Sequence, residues 1–191
     1  IGSTRDDAVG ECFDKSARML GLPYPGGLEI SRLAKHARDN NLLPDETYKL
    51  PRPMLHSKDL HFSFSGLKTA VLTKVKKQAT LTDHFKAVLS LEIENAITDV
   101  LIAKTKAAVY ETRAKTIVVG GGVSANNHIR AQLKELAKNE GVSLFIPERS
   151  LSTDNALMIG ATGLLHIANN IKPKVKLRAN GNWKVSDEYT I

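Results

Sequence analysis

The segment Ile117 to Asn127, Ile-Val-Val-Gly-Gly-Gly-Val-Ser-Ala-Asn-Asn, restricts the fold of this chain more than any other stretch. Three β-branched residues in succession favour a buried strand. Three glycines at the strand exit then remove every Cβ, so that a ligand can approach the backbone directly. Ser124 and Asn126 are both good helix N-caps, and Ile129, Leu133, Leu136 and Ala137 recur at helical spacing. A strand, a glycine turn and a helix start present free N–H groups and a dipole to an anion. A tight turn without a ligand would use the same residue types, and on this segment alone both readings stay open.

Upstream, Asp6 to Leu20 reads as an amphipathic helix that buries Ala8, Val9, Cys12, Phe13, Ala17 and Leu20 and stops at Gly21. Asp7, Glu11 and Asp14 share a face at helical spacing. Asp6 and Asp7 suit the dipole at their own helix N-terminus. Asp14, in the second half of the helix, has no such role, and its carboxylate can accept ribose hydroxyls or hold a cation. Tyr24-Pro25-Gly26-Gly27 reads as a turn before a helix to about Ala37. Residues 39–58 read as an irregular connection, 61–66 as a short strand or extended segment, and 67–78 as a helix.

Thr82 is placed to cap a long helix from Asp83 to about Arg113, with a core stripe of Phe85, Val88, Leu89, Ile93, Ala96, Ile97, Val100 and Leu101 that is expected to pack on the sheet. A second strand at 142–146 ends at Pro147, and a small, apolar helix from Asn155 to about Ala168 follows. Asp154 precedes that helix, where it would either cap it or ligate a metal. From Ile171 the tail is basic, with Trp183 its one large apolar side chain. Strands alternating with helices make the chain α/β. Two strands are too few for a stable sheet, and the chain opens at Ile1 without a methionine, so a fragment lacking sheet partners is expected.

Charge bears on partners. The net charge of +7 makes a polyanion plausible, although a solvated basic surface would give the same figure. Lys172, Lys174 and Lys176 in the tail are candidates for phosphate contact. Cys12 is the only cysteine, so no intrachain disulfide can form and a reducing compartment is expected. No apolar run approaches the ~20 residues of a helical membrane span, and no membrane partner is expected.

Five motifs carry a resemblance: Asp-Asp-Ala-Val-Gly-Glu-Cys-Phe-Asp-Lys (6–15), Tyr-Pro-Gly-Gly (24–27), Phe-Ser-Phe-Ser-Gly-Leu-Lys-Thr (62–69), Gly-Gly-Val-Ser-Ala-Asn (121–126) and Ser-Thr-Asp-Asn-Ala (152–156). Together, and in this order, they resemble the tRNA adenosine threonylcarbamoyltransferase family. The resemblance implies an α/β chain that is part of an actin-like ATPase (ribonuclease H-like) fold. In that reading 1–113 is a largely helical insertion plus the long helix of the second lobe, 114–191 is the strand-helix core of that lobe, and the first lobe is missing. It implies transfer of a threonylcarbamoyl group from threonylcarbamoyl-adenylate to the exocyclic amine of the adenosine beside the anticodon, in tRNAs that read codons beginning with A. Asp14, Gly27 and Asn126 match positions that contact the adenylate, and Asp154 matches an aspartate that ligates iron or zinc. No separate catalytic residue is assigned.

The resemblance further implies a cytoplasmic protein, with tRNA, an actin-like paralogue and a small ATPase as partners. The two remaining metal ligands of the family are histidines spaced His-x-x-x-His; His36, His56, His61, His84, His128 and His166 contain no such pair, so those ligands are expected outside this chain. Ser31 stands where many members carry an aspartate, and the glycine-rich phosphate loops of the first lobe have no match. Two alternatives compete: a non-catalytic paralogue acting as a scaffold, and another actin-like enzyme such as a kinase or carbamoyltransferase. Asp14, Asn126 and Asp154 occurring together speak against the scaffold, and the motifs at 6–15 and 62–69 speak against the other enzymes.

Overall fold

The computed structural model describes residues 1–171. Trp183 and the lysines at 172, 174 and 176 lie outside the described residues. Among the described residues two units are formed, Ile1–Ser152 and one that begins at Thr153. The first carries helices α1 (Val9–Met19), α2 (Gly26–Asp39), α3 (Ser65–Lys76), α4 (Asp83–Thr112) and α5 (Asn127–Glu140), strands β1 (Thr116–Val118) and β2 (Ser143–Phe145), and 3₁₀ turns at Gly122–Ala125 and Arg149–Leu151. The second carries α6 (Ala156–Ala168). The class is α/β, mostly helical, with one small sheet among the described residues.

β1 and β2 pair in parallel, Thr116 with Ser143, Ile117 with Leu144 and Val118 with Phe145. A parallel pair needs a crossover connection, and α5 supplies it. Ile117 and Leu144 pack on the core, whereas their neighbours Val118 and Phe145 are exposed, as the two-residue period of a strand requires. Residues 61–66 do not form a strand: only an isolated bridge between Thr4 and Phe62 is made.

α4 is the pillar of the first unit. The Thr82 hydroxyl caps it as expected, accepting from the Phe85 N–H at 3.1 Å. Its single apolar stripe turns out to be an underestimate. Ala87, Leu91, Glu92, Glu94 and Thr98 are buried along with the stripe, because α2, α1, α3 and α5 pack around the helix. These helices, more than the sheet, are its partners. Against α2 the contact is made by Ala34, Ala37, Ala87 and Leu91, three of them alanines that let the two backbones approach. Buried charge on α4 also holds the long connection. The Glu92 carboxylate accepts from the Leu50 N–H at 2.9 Å and pairs with Arg52, and the buried Lys104 ammonium donates to the Ser57 hydroxyl (2.7 Å) and the Asp59 carbonyl (2.6 Å).

Two helix starts are capped from a distance. Asp6 and Asp7 precede α1, which begins only at Val9, so they do not serve its dipole from within the helix as expected. The Asp6 carboxylate instead accepts from the N–H groups of Phe64 (2.9 Å) and Ser65 (3.3 Å) and from the Ser63 hydroxyl (2.5 Å), capping α3. Burial alone would raise its pKa, but these three donors outweigh it and hold the carboxyl below its ordinary range. Asp7 pairs with Lys15 and Lys68. Gly26 and Gly27, read as part of a turn, form the first turn of α2, where Pro25 offers no side-chain cap. Asp14 caps it from α1, its Oδ1 accepting from the N–H of Gly26 at 2.9 Å and of Gly27 at 3.4 Å.

The two glycines differ in what a side chain would meet. A Cβ on Gly26 would lie 2.6 Å from the Ala17 Cβ and 2.8 Å from the Asp14 Cα, whereas one on Gly27 would lie 3.6 Å from the Phe13 Cβ. Gly26→Ala is therefore expected to destabilise the protein by about 1–3 kcal/mol through overpacking, while Gly27→Ala leaves the urea midpoint near that of the unaltered protein. Equilibrium urea denaturation of both variants checks this.

Candidate nucleotide-side site

The β1 exit is shaped by Gly121, whose φ of 87° and ψ of 161° lie in a region open essentially only to glycine. The chain then turns through Gly122–Ala125, with the Ser124 N–H donating to the Gly121 carbonyl at 2.9 Å. Gly120 and Gly121 face open space, since a Cβ on either would meet nothing within 4 Å. The two expected helix caps separate here. Asn126 caps α5, its Oδ1 accepting from the Ile129 N–H at 2.9 Å, whereas Ser124 belongs to the 3₁₀ turn. The Ser124 hydroxyl is buried and makes no hydrogen bond among the described residues.

The turn packs against α1. A Cβ on Gly10 would sit 3.7 Å from the Val123 Cγ2, and Asp14 follows Gly10 by one helical turn on the same face. Asp14 and Gly27 are joined directly by the hydrogen bond at the start of α2. Three sequence-predicted residues thus lie on elements that meet at α1: Asp14 on that helix, Gly27 at the N-terminus it caps, and Asn126 on the turn packed beside it. Asp14 keeps Oδ2 free of hydrogen bonds among the described residues, so its capping role leaves one acceptor available.

Two further side chains, passed over in the sequence, fix this turn. Arg130, one turn into α5, donates to the Ser124 carbonyl at 2.8 Å and to the Pro147 carbonyl at 2.7 Å, tying the glycine turn to the β2 exit. Glu94 of α4, with no exposed surface, accepts from the Asn126 Nδ2 at 2.6 Å and from Arg38 of α2 at 2.5 Å. In the sequence Glu94 stands between the polar Glu92 and Asn95 and carries no signal of its burial.

Asp154 belongs to the second unit. The expected choice between cap and ligand is narrowed there: Asn155 caps α6, its Oδ1 accepting from the Met158 N–H at 3.0 Å. Asp154 is exposed and makes no hydrogen bond or ion pair among the described residues, so its carboxylate offers one free oxygen donor set. No group of three or more His, Cys, Asp and Glu side chains is gathered among the described residues, and a single carboxylate does not complete a transition-metal site.

His128, in the first turn of α5, sits in the field of the same cluster. Burial, then the Arg38 guanidinium, pushes its pKa down, against opposing pulls from Glu94 and Asp99. The folded protein then binds fewer protons than the unfolded chain just below pH 6.5, so stability falls as pH drops through that value and levels off below the folded pKa. His128→Gln is expected to flatten this part of the profile, which urea titrations at pH 7.5, 6.5 and 5.5 would record.

A family model for tRNA N6-adenosine threonylcarbamoyltransferase matches residues 1–161. Among curated relatives, the tRNA N6-adenosine threonylcarbamoyltransferase of Burkholderia mallei (strain ATCC 23344) is 48% identical over 174 residues, 88% of this chain and 49% of the relative. That of Herminiimonas arsenicoxydans is 48% identical over 172 residues, 89% and 48% of the two chains. That of Acidovorax sp. (strain JS42) is 47% identical over 167 residues, 87% and 46%. The chain spans about half the length of the curated relatives it matches.

Proposed function

Because the chain belongs to the tRNA N6-adenosine threonylcarbamoyltransferase family, we propose that it contributes the adenosine-side half of a site for threonylcarbamoyl transfer to tRNA. The observation that carries this reading is the open backbone at Gly120 and Gly121, leading into the turn packed beside the helix whose Asp14 holds the N–H groups of Gly26 and Gly27. In this reading the fold is the second lobe of an actin-like ATPase with a helical insertion before residue 114, the first lobe lying outside the chain. The setting is cytoplasmic; among the described residues no helix is long and apolar enough to cross a membrane. The net charge of +7 suits tRNA, and the partners are an actin-like paralogue and a small ATPase of the same modification system.

The chemistry is acyl transfer. The exocyclic amine of adenosine attacks the carbamoyl carbonyl of threonylcarbamoyl-adenylate, a C–N bond forms, the bond from carbonyl carbon to phosphate oxygen breaks, and AMP leaves as the amine loses a proton. Asp14 accepts ribose hydroxyls through Oδ2, Gly27 allows close approach at the α2 start, and Asn126 presents an amide donor and acceptor. The uncovered backbone of Gly120 and Gly121 lies under the adenosine. Asp154, in the second unit, would offer one carboxylate to an iron or zinc ion, and such an ion would supply Lewis-acid chemistry.

Two substitutions test these assignments. Gly121→Val would strain the backbone whether or not a nucleotide binds, since its φ is positive. The Cβ of Gly120→Ala meets no atom within 4 Å among the described residues, so the substitution is expected to leave the urea midpoint unchanged while weakening AMP binding at least tenfold in calorimetry. Unaltered affinity would remove the turn from the nucleotide site.

Asp154→Asn, in the protein expressed from its complete reading frame, is expected to lower both bound iron or zinc and the rate of transfer to tRNA by tenfold or more. Asn155→Ala should instead lower stability by about 1 kcal/mol, the worth of a helix cap, with metal content retained. Elemental analysis beside a transfer assay with labelled threonine reads both, and full metal content in Asp154→Asn would refute the ligand role.

A further inference from the structure

Asn126 has more hydrogen bonding than a helix cap needs. Capping uses only Oδ1, toward the Ile129 N–H, and serine, threonine or aspartate would do the same. The second bond, from Nδ2 to the Glu94 Oε1 at 2.6 Å, is open to a carboxamide alone. Glu94 Oε2 is meanwhile taken by Arg38 Nη1 at 2.5 Å, and Arg38 Nη2 reaches the Asn95 Oδ1 at 2.8 Å. A carboxamide turned by 180° would set oxygen against carboxylate and NH₂ against the Ile129 N–H, so only one orientation is allowed. In that orientation one N–H of Nδ2 and one lone pair of Oδ1 remain for a ligand.

We propose that Glu94, held in place by Arg38, is a positioning residue that fixes the Asn126 carboxamide in the one orientation presented to the adenylate. This rests on the reading of Asn126 as an adenylate contact. A plain structural role would end with the Arg38–Glu94 pair, which already joins α2 to α4. The bond to Asn126 extends that pair to a third element, the start of α5, on the face where the glycine turn lies. Because Glu94 is wholly buried, no water competes for its oxygens, and the carboxamide cannot exchange this partner for solvent.

The test compares two uncharged replacements of the buried pair, Arg38→Met with Glu94→Gln and Arg38→Met with Glu94→Leu. Both remove the ion pair, and replacing such a pair outright is tolerated better than removing one partner. Only the glutamine keeps an oxygen for Asn126. AMP is the calorimetric probe, and the Asn126 side-chain NH₂ resonances are followed by ¹H–¹⁵N NMR. The glutamine variant is expected to stay within about twofold of the unaltered affinity, with the two Nδ2 protons well separated in shift. The leucine variant should lose five- to tenfold, about the worth of one hydrogen bond, with the two protons collapsed toward free-amide shifts, and adding Asn126→Ala to it should cost nothing further. Equal affinity of the two variants, with Asn126→Ala alone still weakening AMP, would overturn the positioning role and leave the adenylate reading standing. No loss in Asn126→Ala alone, or no binding by the unaltered protein, would overturn both. Should the leucine variant not fold, collapsed Nδ2 resonances or a tenfold loss in the folded glutamine variant would overturn the proposal, and their retention would support it.

Discussion

Glu94 carries a negative charge where no water reaches, and such a group persists only if its oxygens are fully engaged. Removing the partner of a buried carboxylate is destabilising because it leaves the charge uncompensated. Its two oxygens are engaged by different elements, Arg38 of α2 and Asn126 at the start of α5, so the carboxylate holds two pieces of chain in register on α4. Glu92, two residues earlier, does the same for the connection through Leu50 and Arg52. α4 is thus more than a greasy pillar. Its apolar side chains supply the burial, and its two buried carboxylates say which segments may lie against it.

The candidate site follows from that arrangement. Asp14, in the middle of α1, caps α2, and Asp6, which precedes α1, caps α3; neither carboxylate is taken up by the start of α1 at Val9. The structural and binding roles of Asp14 are compatible, since capping takes one oxygen. The same economy recurs at Asn126, where Oδ1 and one N–H are used internally and the rest of the amide stays open. Gly121 divides differently: its positive φ makes it a backbone requirement, so the open approach beside it is better probed at Gly120.

Local order was legible in the residues themselves. The 3.6-residue period located α1, α4 and α5, Thr82 and Asn126 capped where expected, and the strand-glycine-helix pattern at 117–127 placed the turn. The α/β class and the five family motifs needed nothing beyond the sequence, because propensity, capping and glycine tolerance are properties of short segments. The limits appeared where a side chain serves a distant segment. Gly26 and Gly27 look like a turn because their cap, Asp14, is supplied by another helix, and Asp154 looks like the cap of α6 until Asn155 is seen to fill that role. Glu94 looks like a surface residue because periodicity assumes one buried face, whereas α4 is packed by α1, α2, α3 and α5 and is buried beyond that stripe. Burial of a charge depends on what surrounds the helix, and no window of sequence contains that. The sequence alone therefore determined which segments are helix, strand and glycine turn, whereas the tertiary structure decided which polar groups are paired, by whom, and which are left with capacity for a ligand.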